Sequence, residues 1–200
     1  METAQNTHFI DKIVDALKKA AVELEEFQVK AALGKAEAQD KYEELKKKFN
    51  LFIHESKTKV NTGKERVDDI HSKFDELRVQ LALGKAETLE KFEAQKKQLL
   101  LTLHELEVKI KTNEKFKRMY AMVLIEIEKF KVSLDILEEK FKQGKTDVKV
   151  SFEKGKEEFK RFVDDFKEKY SKKEETKWEH FQNEISEAFT HFKRAFVTKA

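Results

Sequence analysis

The stretch FKRMYAMVLIEIEKFKVSLDILEEKF, residues 116–141, decides the fold. Its apolar side chains fall at Phe116, Tyr120, Val123, Ile127, Phe130, Leu134, Leu137 and Phe141, in alternating steps of four and three. A stripe that returns about every 3.5 residues runs along one side of an α-helix and forms the seam of a coiled coil, whereas a strand would alternate at every second residue. The rhythm continues through Val148, Phe152, Phe159, Phe162, Phe166 and Tyr170. That predicts one helix over roughly 115–170, with Gly144 or Gly155 as points of bending.

The same period extends outward in both directions. Val67, Ile70, Phe74, Leu77 and Leu81, then Leu89, Phe92, Leu99, Leu103, Leu106 and Ile110, predict a helix over 64–111. Ile10, Leu17, Leu24, Ala31, Ala38, Leu45 and Phe52 stand at strict sevens and predict a helix over 8–61. Downstream, Trp178, Phe181, Ile185, Phe189, Phe192 and Phe196 mark a shorter helix over 172–198, with Ser171 and Glu174 as a capping box at its start. Turns are expected near 62, where Asn61-Thr62-Gly63 offers turn chemistry and Thr62 with Glu65 a second capping box, and near 113 and 171. The expected fold is therefore all-α: one elongated domain over 1–200, an antiparallel bundle or coiled coil of three long helices plus a shorter C-terminal helix.

Composition agrees. The 200 residues include no proline and five glycines, too little punctuation for sheets and many loops. Charged residues make up 40% of the chain and hydrophobic ones 39%, too polar for a thick core and too periodic for disorder. Acids and bases interleave and nearly cancel at +3, so net charge nominates no partner. With no cysteine there is no disulfide framework and no thiolate metal site. Met1 to Asp11 lacks the basic start and apolar run of a signal peptide, and the most apolar stretch, Tyr120 to Ile127, is far shorter than a bilayer span. A cytoplasmic location is expected.

Residues 29–60 align without gaps on 79–110, an offset of 50, with 15 of 32 positions identical. Duplication of one long helix explains this. If the chain reverses near 62, Glu37 stands level with Glu87 and the segment meets its own copy across a local two-fold axis. The repeated small and apolar positions Val29, Leu33, Gly34 and Ala36, with Val79, Leu83, Gly84 and Ala86, are the candidate helix contacts. Together with Val22 they form an apolar line that the intrachain seam does not use, and bulk at Gly34 and Gly84 is expected to overpack such a contact.

No motif carries chemistry. Gly144-Lys145-Thr146 matches the tail of a phosphate-binding loop, but Glu139 stands where that loop needs its first glycine. None of the six histidines has the glutamate three residues before it that a di-iron bundle requires. Asp68, His71 and Asp75 share a helix face but lack a second cluster to complete a metal shell. Seventeen phenylalanines fall at core spacing, and only five arginines accompany them, which speaks against nucleic acid. The chain is expected to have no catalytic residues, no cofactor, no metal, no nucleic-acid partner and no small-molecule substrate.

Two functional readings follow. The first is a structural or scaffolding protein that forms a homo-oligomer or binds protein partners through its helical faces. The alternative is peripheral lipid contact, with the stripe Trp178, Phe181, Ile185, Phe189, Phe192 and Phe196 as the lipid or partner face. In plan alone, three long antiparallel helices resemble BAR-type membrane benders, and a short Phe-rich helical chain is similar to the phasin coats of storage granules.

Overall fold

The structure, a computed structural model, describes residues 2–31, 35–61, 68–111, 117–143, 149–171 and 178–196. Side chains at some helix ends, among them Trp178, Phe192 and Phe196, lie outside that description. The protein is all-helical, with seven helices among the described residues: α1 Glu2–Ala31, α2 Lys35–Asn61, α3 Asp68–Leu81, α4 Leu89–Lys111, α5 Lys117–Gln143, α6 Lys149–Ser171 and α7 Trp178–Phe196. They fall into two compact units. One is made of Met1–Val29, Ala121–Ile136 and Thr146–Ala200, the other of Lys30–Tyr120 and Leu137–Lys145.

In the second unit α2 and α3 form a hairpin. Lys57 Nζ lies 2.5 Å from Asp75 Oδ1, and Arg78 donates to Asn50 Oδ1 at 3.2 Å. A straight helix would hold residues 57 and 75 about 27 Å apart, so the chain reverses between α2 and α3 as expected; the turn residues themselves lie outside the description. The helix expected over 64–111 is instead two, because residues 82–88 leave the helical path. Lys109 meets Asp69 at 3.1 Å and Lys73 donates to Glu105, so α4 folds back along α3. α4 in turn runs opposite to the end of α5, with Lys142 3.4 Å from Glu93 and the Phe92 and Phe141 rings stacked at 4.7 Å. The core of this unit is Tyr42, Phe49, Ile53, Phe74, Leu77, Phe92, Leu99, Leu103 and Leu106, all buried.

In the first unit α6 and α7 form an antiparallel hairpin, with Phe159 on Phe189 and Phe166 on Phe181 at ring distances of 5.8 and 5.0 Å. Lys167 reaches Asp11 at 3.1 Å and Lys156 reaches Glu25 at 3.0 Å, so α1 also runs against α6. Ser186 lies 3.5 Å from Glu128, and Lys193 2.7 Å from Asp135. Those spacings are equal, so α5 and α7 are parallel and α6 opposes both. The helix expected over 115–170 therefore reverses between Gln143 and Lys149. The expected 8–61 is likewise α1 and α2, while the shorter C-terminal helix appears as α7.

The described break at 82–88 has a local cause. Ala82 N–H donates to both Arg78 and Val79 carbonyls, at 3.0 and 3.1 Å, which tightens the last turn of α3. Thr88 then caps α4: its Oγ1 accepts from Lys91 N–H at 3.2 Å, and its carbonyl accepts from Phe92 N–H at 3.0 Å.

Candidate interaction surface

Backbone carbonyls left free by the break need donors. They are supplied from the sides. Lys46 of α2 donates from Nζ to Leu83 O at 2.6 Å and reaches Gly84 O at 3.5 Å. Gln95 of α4 donates to Gly84 O, and Gln39 of α2 to Glu87 O, each at 2.9 Å. Lys46 is 2% exposed, pairs with Glu43 at 2.9 Å, and stands over the Tyr42 ring at 4.7 Å. Tyr42 donates to Gln95 Oε1 at 2.9 Å, and burial, with Glu43 beside it, pushes its phenol far above the usual range. The result is a polar platform, buried at Tyr42 and Lys46 and open to solvent at Gln39 and Gln95, with the segment 82–88 seated on it.

The equivalent lysine of the second repeat, Lys96, is buried as well and donates to Glu138. Burial pulls the Glu138 carboxyl up, but hydrogen bonds from Lys142 and Lys96 outweigh it and hold the group below the ordinary carboxylate range. Both lysines were visible as signals: each sits on the four-three seam, between Tyr42 and Phe49 and between Phe92 and Leu99.

The candidate helix contacts divide. Val29, Val79 and Leu83 are exposed, by 67, 65 and 42%, as is Val22, and Ala36 is exposed too. Ala86 is buried, because the break turns it inward; it belongs to the core and not to an outward line. Gly84 is exposed, and a Cβ placed there would meet nothing within 4 Å, so no close approach inside the chain explains this glycine. Leu33 and Gly34 lie outside the described residues. Glu37 and Glu87 do come level, since Gln39 bonds to Glu87 and Lys85 lies 3.9 Å from Asp40. The axis differs from the expected one. α4 runs parallel to α2, and Tyr42 packs on its own copy Phe92 at 4.9 Å.

The α7 stripe is occupied within the first unit. Phe181 and Ile185 are fully buried and Phe189 nearly so, with Phe181 among Phe9, Phe166 and Tyr170. As a lipid or partner face these three are corrected to core positions, while the side chains of Trp178, Phe192 and Phe196 lie outside the description. Among the described residues no group of acids and histidines could hold a metal ion, and Asp75 is engaged by Lys57. No helix among them is long and apolar enough to cross a membrane. Sequence reading missed Leu51, Leu101 and Val108, apolar residues that point away from the core.

Comparison with protein families, with curated proteins and with solved structures finds no match to this chain.

Proposed function

We propose that this chain is a non-enzymatic, cytoplasmic scaffolding protein that self-associates and organises partner components through the outer faces of its helices. The observation that carries this reading is the apolar side chains that each unit leaves exposed: Val22 and Val29, seven residues apart on α1 in the first unit, and in the second Val79 in the last turn of α3 with Leu83 in the break after it. Val22, Val29 and Val79 each sit opposite their helix's buried seam, where a lysine or glutamate would serve solubility better. Sedimentation equilibrium over a range of concentrations tests it. A mass above that of the monomer, reduced when Val29→Lys and Val79→Lys are combined, is the expected result; a monomer at every concentration ends the proposal.

A lipid-surface role would need α7 to leave its unit and expose Phe181, Ile185 and Phe189. Co-sedimentation with anionic vesicles that is lost at high salt would support that alternative.

A further inference from the structure

The seams of α3 and α4 are in phase across the break between them. Leu81 and Phe92 stand eleven residues apart, which is three helical turns to within about 20°. On one straight helix drawn through 82–88, the buried Phe74, Leu77 and Leu81 of α3 and Phe92, Leu99 and Leu103 of α4 fall inside a sector of about 80°. The break itself is written in helix-forming residues. Ala82, Leu83, Lys85, Ala86 and Glu87 all rank high, and only Gly84 and Thr88 rank low. Bonds from outside the segment hold it off the helical path: Lys46 to Leu83 O, Gln95 to Gly84 O and Gln39 to Glu87 O. A segment whose own preference opposes its fold is a place where two arrangements compete.

The hairpin fixes what the second arrangement is. Lys73 pairs with Glu105 and Asp69 with Lys109, so the antiparallel register of α3 on α4 is centred on position 89. Two straight helices over 68–111, one from each of two chains and antiparallel about a two-fold axis at Leu89, reproduce that register. The α3 part of each then meets the α4 part of the other. Leu89 lies beside its own copy, and Lys85 stands level with Glu93 of the partner subunit. Other contacts across the break, Tyr42 with Phe92 and Lys156 with Glu25 among them, pass to the other chain unchanged.

We propose that the break at 82–88 is a hinge for exchange: opened into one helix over 68–111, it lets two copies of this chain trade α4 and close as a two-fold dimer. This rests on the self-association reading and goes beyond it in naming how two copies join. The valines of the outer faces take no part and stay available to partners. Because each hairpin is rebuilt from two chains, exchange leaves its core whole. The three bonds to the carbonyls of 83, 84 and 87 are lost, and those carbonyls turn to bonds within the helix, while Lys46 keeps Glu43 at 2.9 Å. Concentration selects the state, since only the dimer is favoured by mass action.

Deleting residues 82–88 keeps the seam, because Leu81 then stands four positions before Phe92, but it leaves the hairpin no loop. By sedimentation equilibrium that variant should be a helical dimer at every concentration. Lys85→Pro should act in reverse. Proline breaks the straight helix but suits a stretch outside any helix, where the Lys85 N–H makes no backbone hydrogen bond among the described residues. Its dissociation constant should rise roughly a hundredfold or more, with the circular dichroism of the monomer unchanged. The chain has no cysteine, so single spin labels report cleanly. In the dimer, labels at Leu89→Cys should lie within about 20 Å of each other, and labels at Ser72→Cys, an exposed site on α3, about 50 Å apart. A deletion variant that is unfolded or monomeric, a dimer undiminished in Lys85→Pro, or labels no closer at 89 than at 72 overturns exchange and leaves association through the outer faces standing. A parent chain monomeric at every concentration overturns both.

Discussion

Lys46 spends its charge inside the protein, on the Leu83 and Gly84 carbonyls of the break, while Gln39 of the same helix serves Glu87. Its stem fills core volume between Tyr42 and Phe49, so Lys46→Met preserves packing while removing the donor. Leaving Leu83 O without its partner should cost about 1–3 kcal/mol. Lys96→Met should cost less, since Glu138 retains Lys142. Thermal melts by circular dichroism of the two variants decide this, and equal losses would mean that Lys46 anchors nothing. Lys140 presents the opposite case. It is buried, and burial pulls its ammonium below the ordinary lysine value, only partly offset by Glu139. The folded chain therefore gives up this proton at a lower pH than the unfolded chain does. At neutral pH folding must bury the charge, and stability should rise as pH climbs through the folded value and level off above the unfolded one. Lys140→Met should raise the melting temperature at pH 7 and flatten that alkaline rise; a lower melting temperature would show that the ammonium is a needed partner.

At the scale of elements most seams were legible, though α2 buries Tyr42, Phe49 and Ile53 where Leu45 and Phe52 were expected. Helix ends near 62, 113 and 171 were legible too, and the breaks between α1 and α2, α3 and α4, and α5 and α6 were not. Every helix lies where the four-three rhythm placed helical structure, because burying one stripe is what a charged helix must do to be stable at all. The rhythm lapses between Leu81 and Leu89, a step of eight residues, where the Thr88 cap is a local sign of a restart. Tertiary bonds then hold the break: a lysine and two glutamines from α2 and α4 donate to the carbonyls of 83, 84 and 87. Of the described glycines, Gly84 stands in the break at 82–88 whereas Gly155 lies within α6, so glycine alone did not mark a break. The candidate surface was legible as a repeat, but not which side of the repeat faced water. Gly84 tests this account of the break. Its backbone lies outside the left-handed region and a Cβ would enter open space. Gly84→Ala should therefore stabilise the fold by about 0.4–1 kcal/mol through the unfolded state. Gly84→Leu should not lower the melting temperature of the monomer. A large loss in either would place an unseen contact at the loop.

Across the whole molecule, the two units differ in how far apart in sequence their contacts lie. α3 and α4 meet through pairs 32 and 40 residues apart, and α2 meets α3 through pairs 18 and 28 apart. The first unit joins the two ends of the chain: Lys156 with Glu25 spans 131 residues. Widening a loop from 32 to 131 residues is two doublings, about 1.2 kcal/mol of closure entropy, and non-local contacts slow folding further. If α2, α3 and α4 assemble first, the open loop that α1 must close is shortened by the part already folded. Pulsed hydrogen exchange during refolding should therefore show amides of α3 and α4 protected before those of α1. The α6–α7 hairpin is local, with Lys169 and Glu184 only 15 residues apart, and is free to form early by itself. Phe92→Ala, which removes a ring from the centre of the second unit, should then delay protection of α1. Phe181→Ala should leave protection of α3 and α4 on time, although it costs about 3–5 kcal/mol in the first unit. Protection of α1 at the same rate as α4, or a delay of α4 caused by Phe181→Ala, would mean that the ends of the chain come together first.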